Sequence, residues 1–153
     1  MKPALSCAAI ALIATPACAT DWRPVVADTG TLIHLIDAET LPGTAQAQPK
    51  VRTLTVFAPG ERTDFQALEM TSDFDCVSNR VRMVRTVGYD EAGKPIGDET
   101  PANAQWEAIE PDTGYAGLAE VVCGKRPVSS MKLAGAVPIA AARDLIGDAP
   151  ADE

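Results

Sequence analysis

Lys2, an apolar run from Ala8 to Ala14 and the small-residue site Ala17-Cys18-Ala19 ahead of Thr20 have the three parts of an export signal. The run stops at Thr15-Pro16, roughly half the length of the ~20 apolar residues that a membrane-spanning helix needs, and nothing comparable follows. Residues 1–19 are therefore expected to be a removed signal peptide, with no transmembrane segment. Export sets the chemistry of the cysteines. Of the four, Cys7 lies in the apolar run and Cys18 at the cleavage site, which leaves Cys76 and Cys123 to fold in an oxidising compartment. Two cysteines allow one pairing, so a structural disulfide is expected, against the alternative of two unpaired buried thiols. Cleavage after Ala19 competes with a lipid anchor at Cys18. The segment Thr15-Pro16-Ala17-Cys18 lacks the aliphatic residue three positions before the cysteine that acylation usually requires.

Residues 20–153 suit a single domain. The formal charge of −8 becomes more negative when Lys2 leaves with the signal, and this excludes simple electrostatic attraction to nucleic acid or anionic lipid. The expected location is the periplasm or the outer cell surface.

From Trp22 to Gly88 the chain reads as strands at Trp22–Ala27, Thr31–Asp37, Lys50–Ala58, Phe65–Thr71 and Cys76–Gly88, rich in Val, Ile, Leu, Thr and Phe. Turn residues separate them: Asp28-Thr29-Gly30, Leu41-Pro42-Gly43 and Ala58-Pro59-Gly60. Short connections of this kind predict a meander of antiparallel neighbours. In 81–87, Val81, Met83, Arg85 and Val87 share one parity and Arg82, Val84 and Thr86 the other, so neither face is cleanly apolar. After the turn at Tyr89–Gly93 come two short strands, Lys94–Gly97 and Trp106–Ile109.

Over Tyr115–Cys123, Leu118, Val121 and Val122 fall on one helical face, and Gly124 supplies the stop. The fold class is thus α+β, an antiparallel sheet meander with one C-terminal helix packed on it and one disulfide. The domain is expected to span 20–125. Residues 126–153 are expected to form a small-residue, acidic and partly disordered tail, with one weak helix between Pro138 and Gly147.

Catalytic chemistry finds little material. His34 is the only histidine, no Gly-x-Ser-x-Gly elbow accompanies it, and an ordinary packed strand histidine is the expectation. No paired ligand spacing points to zinc, and Asp73 and Asp75 lack a calcium-loop pattern, so they are assigned to a solvated turn. No catalytic residue, metal or cofactor is expected. Arg80, Arg82 and Arg85, with Lys125 and Arg126 after the second cysteine, are the one basic concentration and the candidate binding residues, able to grip carboxylate, sulfate or phosphate. The alternative pairs these arginines with the protein's own acids. Trp22, Trp106 and Tyr89 could form an aromatic platform, but with aromatics only 5% of the chain, core duty for both tryptophans is favoured.

The order Trp22, Ile36-Asp37, Cys76, Tyr89-Asp90-Glu91-Ala92-Gly93, Trp106-Glu107-Ala108-Ile109-Glu110-Pro111 and Cys123 resembles the surface-adhesin protein E family of proteobacterial envelope proteins, over roughly Trp22 to Cys123. The resemblance implies an antiparallel sheet with a packed helix, and an adhesin of the kind that binds host matrix and serum proteins. No host-contact segment of that family can be matched onto these residues. The expected function is a non-enzymatic, adhesin-like envelope binding module that contacts a protein or glycan through a sheet face or loops. The alternative is a periplasmic assembly or inhibitor factor acting on the cell's own envelope.

Overall fold

The computed structural model describes residues 20–28, 30–44 and 46–147; the segment expected to be a signal, with Cys18, and the acidic end at 148–153 lie outside the described residues. Seven strands form one antiparallel sheet: β1 (Trp22–Asp28), β2 (Leu32–Asp37), β3 (Lys50–Phe57), β4 (Ala67–Asp75), β5 (Arg80–Tyr89), β6 (Pro95–Glu99) and β7 (Glu107–Ala108). Strands β1 to β6 stand side by side in chain order, and β7 pairs with the start of β5. This is the meander that the turn residues predict. Among the described residues two α-helices complete the fold, α1 (Gly114–Val122) and α2 (Ile139–Gly147). Neither helix is long and apolar enough to cross a membrane.

The helices lie on opposite faces of the sheet, which explains why the strand pattern shows no single apolar side. Ile33, Leu35, Leu54 and Val56 turn one way and pack with Trp22 against Ile139, Ala142 and Ile146 of α2. Ile36, Val51 and Phe74 turn the other way, under Leu118, Ala119, Val121 and Val122 of α1. Thr113 caps α1, its hydroxyl accepting from the Ala116 amide at 3.2 Å. Gly114 opens the helix where the His34 ring presses on the backbone, and a side-chain carbon there would collide with that ring. Glycine is therefore required for α1 to seat on β2.

The stretch after residue 125 enters the first core. The Trp22 indole donates to the Ala136 carbonyl at 2.8 Å, and the Trp22 carbonyl accepts from the Leu133 amide at 2.9 Å. The weak helix expected before Gly147 is α2. Its alanines bury little area, but the small side chain of Ala142 lets the helix approach closely enough for Ile139 and Ile146 to be buried, each worth about 1.5–3 kcal/mol.

The β4–β5 turn sits later than the sequence pattern suggests. Asp73 and Asp75, assigned to a solvated turn, are buried in β4, while Cys76–Asn79, assigned to a strand, make the turn. The Asp75 carboxylate accepts from the amides of Val77 at 3.1 Å and Ser78 at 2.9 Å, and Asn79 takes a φ of 51°, as asparagine tolerates. These local bonds outweigh the strand propensity of Val77. Cys76 in this turn is bonded to Cys123 at the end of α1.

Asp37 is 2% exposed and accepts four hydrogen bonds: from the Asp21 and Glu39 amides, and from Arg52 through Nε at 3.1 Å and Nη2 at 2.5 Å. Arg52 also lies over the Trp22 ring at 5.4 Å and faces Glu69 at 3.9 Å, and Glu69 accepts from the Tyr89 hydroxyl at 3.0 Å. Burial, with the Glu69 charge second, pushes the Tyr89 hydroxyl up to about 12, so it remains a donor.

Reducing the Cys76–Cys123 bond, which closes 47 residues of sequence, is expected to cost roughly 4 kcal/mol in the chain-entropy model. Denaturant titration with and without reductant measures this, and mass spectrometry finding two free thiols in untreated protein would contradict the bond. Asp37→Asn is expected to cost about 3 kcal/mol, because it removes the carboxylate that Arg52 donates to twice and leaves that half-buried charge with only Glu69 at 3.9 Å. Replacing both residues by a fitted apolar pair should cost less, and equal losses in the two variants would refute the pairing account.

Candidate functional site

The exposed chemistry of this fold is concentrated on one face of β3, β4 and β5, beyond the edge of α2. A bulge in β5 creates it. Thr71 stands opposite Arg85 but Ser72 stands opposite Met83, so Val84 is an extra residue and the parity of β5 flips across it. Arg80 and Arg82 on one side of the bulge therefore point to the same face as Arg85 on the other, which strict alternation forbids. A parity count along the sequence cannot detect this, since it assumes an unbroken ladder.

On that face the cations form an outer layer above carboxylates. Arg82 donates to Asp73 through Nε at 3.2 Å and Nη2 at 2.6 Å, Lys50 approaches the same carboxylate at 3.6 Å, and Arg80 reaches Asp75 at 3.0 Å. The side chains of Asp73 and Asp75 are only 10% and 7% exposed, whereas those of Arg80 and Arg82 are 44% and 36% exposed. The Ser78 amide and then the Arg80 guanidinium hold the Asp75 carboxyl below its usual range. Arg85 pairs with Asp98 of β6 at 2.6 Å, and this lowers the Asp98 carboxyl likewise.

Trp106 joins this layer because β7 pairs alongside Arg80 and Val81. Its half-buried ring carries Arg82 at 4.7 Å and Arg80 at 5.6 Å from its centroid. Core duty is thus confined to Trp22, which is fully buried, and Tyr89 serves the Asp37–Arg52–Glu69 network. Trp22, Trp106 and Tyr89 do not meet as one platform. The arginines do pair with the protein's own acids, as the alternative holds, but each has five donors and spends only one or two on its partner. Lys50 also belongs to this face, though no basic cluster in the sequence marks it. Its alternation with Val51 in β3 was the available signal.

Lys125 and Arg126 lie apart from this layer, with α1 on the other side of the sheet. Arg126 is tied to Glu120 at 3.5 Å and to the carbonyls of Gly117 at 2.9 Å and Val25 at 3.4 Å. Lys125 borders a cavity of about 740 Å³ with His34, Asn79, Thr113 and Glu120. His34 itself is 9% exposed and shares a 2.9 Å hydrogen bond with Thr55 within the sheet. Among the described residues no three potential ligands cluster around a metal-sized space.

The family model for surface-adhesin protein E matches residues 22–124, from the first strand through the second cysteine. Among solved structures, crystal form II of Haemophilus influenzae protein E is similar at a TM-score of 0.48 and 17% identity, over 76% of this chain and 98% of that one. Protein E from non-typeable Haemophilus influenzae is similar at 0.46 and 16%, over 75% of this chain and 83% of that one. No curated protein sequence matches significantly. With one model spanning every strand, α1 and both disulfide cysteines, this chain belongs to the surface-adhesin protein E family.

Proposed function

We propose that the protein is exported through its N-terminal signal and works on the cell surface as a non-enzymatic, adhesin-like module that captures a protein or glycan through the guanidinium face of β3, β4 and β5. Membership of the surface-adhesin protein E family over residues 22–124 is the observation that carries this. The face supports it physically. Carboxylates beneath and Trp106 beside them hold Arg80 and Arg82 in place, so a ligand carboxylate or sulfate meets donors that are already ordered and loses little side-chain entropy on binding. Lys125 and Arg126, separated from this layer, are assigned at most a secondary contact near α1.

Two measurements test the proposal. Protease treatment of intact cells is expected to remove the protein, and survival until the outer membrane is permeabilised would favour the periplasmic assembly or inhibitor role instead. Trp106→Ala combined with Arg82→Lys keeps a cation over Asp73 while removing the stacked fork. It is expected to lower adhesion of expressing cells to immobilised matrix protein or sulfated glycan by about tenfold, the loss of one or two charge-assisted hydrogen bonds, with the melting temperature nearly unchanged. Undiminished adhesion would remove this face from the binding site.

A further inference from the structure

The opposite face of β4, β5 and β6 has a different chemistry, and α1 covers only the part of it near Met70 and Val81, where the Tyr115 hydroxyl donates to the Met70 sulfur at 2.9 Å. Here Leu68, Met70, Thr86 and Gly88 lie side by side through the Met70–Thr86 and Leu68–Gly88 pairs. A second bulge, with Gly88 opposite Gly97 and Tyr89 opposite Pro95, makes Ile96 the extra residue and brings it to this side. Phe65 and Ile96 approach within ordinary contact distance of the point where a Gly88 side chain would begin, so the glycine leaves the floor open between them. Phe65, Leu68, Met83 and Ile96 join neither apolar core, and Met83 and Ile96 are 39% and 52% exposed.

Two hollows of about 240 Å³ mark the ends of this band. One is bordered by Phe65, Leu68, Gly88 and Ile96, the other by Val81, Met83, Ile109 and Tyr115. From Gly88 to Met83 along β5 is about 15 Å, close to the roughly 13 Å between same-side residues four apart in an extended chain. The rim is acidic. Glu99, opposite Thr86, and Glu107 and Glu110 at the far hollow make no ion pair among the described residues. The cation near the first hollow, Arg62, is committed to Asp64 at 2.7 Å.

We infer that this groove is a second interaction surface, whose occupant is an extended basic segment of another protein with two apolar side chains about four residues apart. The apolar floor takes the anchors, and the three unpaired carboxylates select lysine or arginine between them. A second copy of this chain is disfavoured by the same carboxylates, because a self-complementary contact would set the acidic rims against each other. The inference stands independently of the guanidinium face, which lies on the other side of the sheet.

The test is a fluorescence-anisotropy titration of the purified protein with the labelled peptide Lys-Leu-Lys-Thr-Lys-Phe-Lys, and with its counterpart bearing glutamate at every lysine. The lysine peptide is expected to bind saturably and the glutamate peptide not to bind. Met83→Glu and Ile96→Glu, at exposed positions that spare the core, should each weaken binding by about tenfold, the loss of one buried apolar anchor. Glu107→Lys with Glu110→Lys should weaken it similarly and flatten its salt dependence, while Trp106→Ala should leave it unchanged. No saturable binding, equal binding of the two peptides, or insensitivity to the Met83 and Ile96 variants would overturn the inference. So would self-association in sedimentation that these same variants abolish, since the occupant would then be a second copy.

Discussion

The buried charge of Asp37 organises one corner of this fold. A carboxylate at 2% exposure has lost its water, and it is tolerable only because two backbone amides and the Arg52 guanidinium replace that water. Those donors come from the lead-in to β1, the turn after β2 and strand β3, so satisfying one side chain locks three segments in register. Arg52 extends the linkage to the Trp22 ring and to Glu69, which holds Tyr89. Trp22, Asp37 and Tyr89, which stand far apart in the chain and carry much of the family resemblance, are thus members of one network. Their spacing in sequence looks arbitrary because three-dimensional hydrogen bonding sets it.

With that corner held, β1 to β3 accept a helix on each face, while much of β4, with β5 and β6, extends beyond both helices. The uncovered part has two unlike faces because of two single-residue bulges. One in β5 gathers Arg80, Arg82 and Arg85 over a floor of carboxylates, and one in β6 turns Ile96 onto the apolar side beside Gly88. A regular ladder would have spread cations and apolar groups over both surfaces. The Cys76–Cys123 bond anchors α1 to the β4–β5 turn, next to the start of the guanidinium layer.

Residue types and short-range spacing were sufficient for the strand order, the disulfide partners and α1. Hairpin turns leave antiparallel neighbours little choice, Cys76 and Cys123 beyond the expected signal have one pairing, and an apolar helical face runs up to the stop at Gly124. The role of α2 was less legible, since Ala140, Ala141 and Ala142 announce little hydrophobic area. Their value lies in close approach to a sheet surface the local sequence does not reveal. The position of the β4–β5 turn depended on the Asp75 side chain capturing amides two and three residues ahead, which competes with strand propensity.

By itself, then, the sequence determined most of the strands and α1, though not the position of the β4–β5 turn, and named most of the residues able to bind, because those follow from local propensity, turn chemistry and cysteine count. Only the tertiary structure decided which of those residues share a surface. Side-chain direction in a sheet has a period of two, so one inserted residue reverses everything beyond it, and whether a strand bulges is set by its pairing with neighbours distant in the chain. That is why Arg85 joins Arg80 and Arg82 while Lys125 and Arg126 do not, and why Asp73 and Asp75, which read as a solvated turn, lie buried beneath the arginines.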